Sequence, residues 1–126
     1  MSVMAATLAN GGLNPITGKR VFNPEHIRNV LPLILTSGMY DYSGQWAFDI
    51  GVPAKSGVGG SVFIVIPNIA GITIWSPRLD QVGNSVRGVH VAKELLKRIS
   101  FHSFEVFSGH FHHKMDPTMR KNDAEE

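Results

Sequence analysis

Between Gly38 and Gly60 the chain reads GMYDYSGQWAFDIGVPAKSGVGG, which brings two tyrosines, a lysine, a hydroxyl and a run of glycines up to an apolar segment. Lys55, Ser56 and Gly57, followed by Val58, Gly59 and Gly60, would put a cation, a hydroxyl and bare backbone N–H groups along one strand edge. Such an edge suits a carboxylate or a developing oxyanion, because amide donors and a lysine stabilise negative charge where water is excluded. No nucleophile with a base beside it is evident in this stretch. Tyr40 sits between Gly38, which frees the backbone, and Asp41, which can fix a turn. Its bland role is packing with the hydroxyl at the surface; its chemical role would be to hydrogen-bond a reacting group or relay its proton, which a cation such as Lys55 would assist. Lys-Ser-Gly alone is more often an ordinary turn. A phosphate-cradling glycine loop would run into a helix N-terminus, whereas GVGG precedes a strand, so a nucleotide-binding role is disfavoured.

Other candidate residues fit structural roles better. His110, His112 and His113 match no structural zinc spacing, and the chain has no cysteine, so no metal is expected. His26 and His90 fall on predicted helices, and Trp46 and Trp75 read as core residues. Twelve Lys and Arg against ten Asp and Glu leave a charge of only +2, too small and scattered for a nucleic-acid footprint. The longest apolar run, Val62 to Pro67, is far below the ~20 residues of a membrane helix. MSVMAATLANGG has neither a secretory nor an organelle-transit pattern.

The elements that must position these groups can be read in turn. At 126 residues, one domain is expected. Charged residues make up only 17%, which suggests that part of the surface is covered by something else. Ser2 to Ala9 reads as the last turns of a helix ended by Asn10, Gly11 and Gly12, as though the chain were cut from the middle of a larger domain. Asn23, Pro24 and Glu25 start a second helix with a buried stripe of Ile27, Val30, Leu31 and Ile34. Pro32 predicts a kink or early stop in it, and Gly38 its end. A short helix over Ser43 to Phe48, capped by Asp41 or Ser43, follows.

SVFIVIP and ITIWSP, separated by Asn68 to Gly71, predict an antiparallel hairpin. Because both runs are apolar nearly throughout, helices should cover both faces of the sheet. Asn84 or Ser85 can cap a last helix whose Val89, Ala92, Leu95, Leu96 and Ile99 share one face, with Lys97 and Arg98 at its negative end. From about His110 the chain is polar and unpatterned. The expected division is therefore a domain over residues 1–105 and a tail or linker over 106–126.

The blocks SVMAATLANGG, NPITG, GMYDYSGQWAF, VPAKSGVGG and WSPRLDQVGNSVRGV together closely resemble the C-terminal part of the glutaminase catalytic domain, over Ser2 to about Phe104. HHKMDP resembles the connection that leads toward ankyrin repeats in animal members. The resemblance implies an α+β chain, part of a serine β-lactamase-like fold with antiparallel strands flanked by helices. It implies hydrolysis of L-glutamine to L-glutamate and ammonia without a cofactor, through an acyl-enzyme on a serine activated by a lysine three residues on. That pair belongs to the family's N-terminal portion. Tyr40 matches the family's tyrosine near the nucleophile, which contacts substrate and is a candidate for proton transfer. Val58 matches the residue whose backbone N–H binds the substrate amide oxygen. Lys55 and Ser56 resemble the lysine and hydroxyl of the related penicillin-binding strand, in a supporting role. By the same resemblance the chain would act in a homo-oligomer, a dimer or tetramer, and in mitochondria. The competing expectation is a non-catalytic regulatory or interaction subunit that docks on complete glutaminase chains.

Overall fold

A computed structural model describes residues 1–108 and 113–118. Helix α1 (Ser2–Ala9) ends at Asn10, and Gly11 and Gly12 take the left-handed conformations, φ 61° and 90°, that turn the chain away. Helix α2 spans Pro24–Ser37, with the Asn23 side chain accepting from the Glu25 N–H.

Two expectations about α2 are corrected. Pro32 does not stop it: the helix continues to Ser37 and ends at Gly38. Pro32 is exposed, as is Arg28, so the Arg28 carbonyl left without an N–H partner can be hydrated. The expected stripe is not buried either. Only Ile27 is enclosed, Leu31 and Ile34 are half-buried, and Val30 and Leu33 face solvent.

A 3-10 turn over Tyr40–Tyr42 leads into α3 (Ser43–Asp49). Neither Asp41 nor Ser43 caps α3. The Ser43 hydroxyl instead accepts from Met39 N–H at 3.0 Å and donates to the Tyr40 carbonyl at 2.6 Å, closing the turn onto itself.

Strands β1 (Ala54–Gly57), β2 (Ser61–Ile66) and β3 (Ala70–Trp75) form one antiparallel sheet in that order. The predicted hairpin is β2–β3, in the register Ser61 to Trp75 and Ile64 to Ile72, with Asn68 left-handed at φ 63° in its loop. Helices cover both faces. α1 lies so close to β3 that a Cβ on Gly71 would stand 2.1 Å from the Ala6 nitrogen, which is why that position carries none. On the other face α4 (Val86–Arg98) approaches β2, where a Cβ on Gly88 would stand 3.2 Å from a Val62 methyl.

Met39, Trp46, Ile50, Val52, Ala54, Val62, Ile64, Ile66, Ala92 and Phe101 form the core between them. Each larger side chain enclosed there contributes about 1.5–3 kcal/mol. Trp46 is fully buried, and its indole donates to the Val52 carbonyl at 2.8 Å. Ser85, one of the two expected caps, accepts from Gly88 N–H and starts α4. Asn84 is buried and donates to the Met39 carbonyl at 2.9 Å.

After α4 a short 3-10 turn over Glu105–Phe107 carries a buried carboxylate that pairs with Lys114 at 2.7 Å. Met115 bridges to Ile99, so this part of the stretch read as tail or linker lies against the end of α4. His110 and His112 fall outside the described residues, and His113 is exposed.

Candidate active site

Gly38 governs the position of Tyr40. A Cβ there would stand 1.8 Å from the Ala54 carbonyl oxygen, so only glycine lets the end of α2 press against β1. The Gly38 carbonyl accepts the Ser56 N–H at 2.9 Å, which fastens this segment to the outer side of β1. Two residues later Tyr40 has φ 55°, an uncommon backbone state for a residue with a side chain. The Ser43 and Asn84 hydrogen bonds around Met39 and Tyr40 hold it there. Backbone of this kind costs roughly 1–3 kcal/mol and persists only where its surroundings enforce it.

Tyr40 is 39% exposed, and its ring lies against Gly83, where a Cβ would stand 3.5 Å from the ring. The Tyr40 hydroxyl reaches the Ser56 carbonyl at 3.4 Å, and the Lys55 ammonium donates to that same carbonyl at 2.5 Å. Lys55 also stands over the Tyr40 ring, 4.8 Å from its centre. The sequence-predicted trio of Tyr40, Lys55 and Ser56 is therefore gathered at one end of β1. The Ser56 hydroxyl itself is buried and has no hydrogen-bond partner among the described residues.

The expected single strand edge from Lys55 to Gly60 is corrected at Val58: β1 ends at Gly57, and Val58, Gly59 and Gly60 form the three-residue loop to β2, with Gly60 left-handed at φ 88°. That is the usual geometry of a hairpin whose loop closes on a left-handed glycine. Val58 is 81% exposed, and neither its N–H nor that of Gly59 is hydrogen-bonded to any described residue. The Gly57 carbonyl accepts the Gly60 N–H at 2.9 Å. Because a trans peptide directs its N–H opposite to its C=O, the Val58 N–H points out of the loop.

Trp75 corrects a second expectation. It is 68% exposed rather than in the core, and its indole N–H donates to the Gly59 carbonyl at 2.9 Å. The hairpin register pairs Ser61 with Trp75, which sets the indole beside the loop. Counting residues from the Asn68 turn would have placed it there; apolar composition alone pointed inward.

Elsewhere, Asp49 on α3 accepts from Tyr42 at 3.0 Å and Gln45 at 2.7 Å and pairs with Lys93 of α4 at 3.0 Å. Burial pushes the Asp49 carboxyl up, but hydrogen bonds from Lys93, Gln45 and Tyr42 outweigh it and hold the group below its ordinary value. This network fastens α3 to α4. Among the described residues no cluster of His, Cys, Asp or Glu has the makings of a metal site, and no helix is long and apolar enough to cross a membrane.

The glutaminase family model matches residues 1–104. This chain belongs to the glutaminase family. It is 51% identical to the glutaminase of a Nostoc species over 105 residues, 83% of this chain and 31% of the relative. It is 49% identical to the mitochondrial liver isoform of mouse glutaminase over 116 residues, 92% of this chain and 19% of that one. A crystal structure titled Mglu in its glutamate form superposes with a TM-score of 0.71 at 50% identity, covering 75% of this chain and 22% of the other. The chain thus spans between about a fifth and a third of the glutaminases it matches. Their likeness agrees with the α+β architecture of helices on a three-stranded antiparallel sheet.

Proposed function

We propose that this chain contributes the Tyr40 phenol and the Val58 N–H to a glutaminase active site that hydrolyses L-glutamine to L-glutamate and ammonia. The observation that carries the reading is the convergence at one end of β1. The Tyr40 hydroxyl, from the turn before α3, and the Lys55 ammonium meet at the Ser56 carbonyl, and the unpaired backbone donor of Val58 follows two residues on, in the loop that β1 enters.

The sequence contains no Ser-x-x-Lys, so the nucleophile comes from polypeptide outside these 126 residues. Its hydroxyl oxygen forms a bond to the side-chain amide carbon, and the carbonyl oxygen takes up negative charge, which the Val58 N–H stabilises. The proton of that hydroxyl is taken up by the base beside it and, relayed through Tyr40, reaches the departing nitrogen as the C–N bond breaks, so that nitrogen leaves as ammonia and Tyr40 ends as it began. Water then adds to the acyl carbon, one of its protons returns to the nucleophile's oxygen as the ester C–O bond breaks, and glutamate is released. Removing one oxyanion donor commonly costs about 10²–10³ in kcat, so the loop would be essential although it carries no nucleophile. Without the nucleophile, these residues alone should not turn over glutamine.

The same reading extends to a mitochondrial location, following the mouse liver relative, and to a homodimer or homotetramer. The exposed apolar side chains Met4, Leu33 and Phe48 suit burial against the rest of such a domain.

The test is a chimera in which this chain replaces the matching segment of the Nostoc glutaminase. Ammonia release from glutamine is expected from the chimera and not from the chain by itself. A folded chimera without activity, or full turnover by the isolated chain, overturns the proposal.

A further inference from the structure

We propose that Trp75 is a positioning residue for the oxyanion donor, acting through two peptide groups. This inference rests on the role given to Val58 above. The indole N–H donates to the Gly59 carbonyl at 2.9 Å. The peptide that carries this carbonyl also carries the Gly60 N–H, which donates to the Gly57 carbonyl at 2.9 Å. The Gly57 carbonyl in turn belongs to the peptide whose N–H is that of Val58. The indole therefore heads a chain of donors and acceptors that ends at the free Val58 N–H.

Each link does two things. It fixes the plane of a peptide, and hence the direction of the next N–H. It also polarises that peptide, which strengthens the next donor by about 10–30% per bond. Two further bonds anchor the far side of the loop. The Ser76 N–H donates to the Gly60 carbonyl at 2.8 Å, and the Ser76 carbonyl accepts the hydroxyl of Ser85, the cap of α4, at 2.9 Å. Gly60 itself is wedged against Pro77, where a Cβ would stand 2.4 Å from Pro77 Cα. An exposed tryptophan at the end of a strand has little packing to contribute. Its hydrogen bond across the sheet end accounts for its place.

The substrate's amide oxygen gains charge only in the transition state, so a donor that is better aimed and better polarised raises kcat more than it tightens binding. In the chimera, Trp75→Phe keeps an aromatic ring and removes the N–H. Its kcat should fall about 3- to 10-fold, the range expected for losing one hydrogen bond, with KM within twofold of the parent. Val58→Pro removes the terminal donor. Proline is well tolerated at the second position of a tight turn, so the loop should survive while kcat falls about 10²-fold or more. Adding Trp75→Phe to Val58→Pro should then cost less than twofold, because the relay has lost its endpoint.

A Trp75→Phe kcat equal to the parent's, or an equal loss in both backgrounds, overturns the relay and leaves the role of Val58 standing. A Val58→Pro chimera with the parent's kcat instead overturns that role.

Discussion

The Lys55 ammonium stands 4.8 Å from the centre of the Tyr40 ring and shares with the Tyr40 hydroxyl a single acceptor, the Ser56 carbonyl. One cation thus bears on the phenol both through its face and through a common hydrogen-bond partner. A contact over a ring is worth about 0.5–2 kcal/mol. In the chimera, Lys55→Met is expected to lower kcat about tenfold, and Tyr40→Phe, which removes the hydroxyl, about 10²–10⁴-fold. Steady-state ammonia release measures both. A Tyr40→Phe chimera with undiminished kcat would remove Tyr40 from the chemistry.

Gly38→Ala should destabilise the protein by at least about 3 kcal/mol, because the new methyl would overlap the Ala54 and Ile34 carbonyl oxygens at 1.8 and 2.3 Å. Gly44→Ala is the control. Nothing lies within 4 Å of a Cβ on Gly44, which is exposed on α3, and the change should be neutral or stabilising by up to about 1 kcal/mol. Urea unfolding of the two variants separates these effects, and equal midpoints would contradict the close approach of α2 to β1.

Pro32→Ala should stabilise α2 by about 1–3 kcal/mol, since it supplies the missing N–H to Arg28 in an exposed helix interior. Part of that gain is offset by the greater freedom of the unfolded chain. Thermal unfolding checks the sign; a lower midpoint would mean that the proline ring makes packing contacts that outweigh the bond.

Glu105 gives a pH dependence with a definite sign. Burial raises its carboxyl, but Lys114 and Ser108 hydrogen bonds more than compensate and hold it below its ordinary value of 4.5. A depressed folded-state value means that the ion pair's contribution is present above about 4.5 and is lost as pH falls through the folded value. Stability measured from pH 6 down to pH 3 should fall less steeply for Glu105→Gln than for the parent. Parallel curves would show that the carboxyl has the same affinity for protons in both states.

Much of this molecule could be read before any coordinates. Two nearly continuous apolar, β-branched runs around Asn68 and Gly71 specified β2 and β3, Asn23-Pro24-Glu25 specified where α2 begins, and Asn84-Ser85 narrowed the start of α4 to two residues. The local signals that succeeded are those in which one residue type meets a backbone need at short range. What escaped was long-range or depended on absent neighbours. Val30 and Leu31 carry a helical stripe, yet nothing among the described residues encloses it, so periodicity predicted a burial that this chain does not provide. Trp75 was misread for the converse reason: its apolar ring suggested the interior, while its single polar atom is engaged by a loop 16 residues away. Tyr40 and Val58 were legible mainly through resemblance to the glutaminase family. The meeting of Tyr40 with Lys55 and Ser56 needs Gly38 to lie against β1, a contact that no spacing in the sequence reveals.

The bond from Ser56 N–H to the Gly38 carbonyl has a second effect. Among the described residues β1 is the outermost strand on its side of the sheet, and this bond occupies a donor that would otherwise be open to a strand from another molecule. The segment that carries Tyr40 is therefore also a guard against self-association. Variants that loosen it should clump, so a screen for soluble expression would, at these positions, select for an intact seam between α2 and β1.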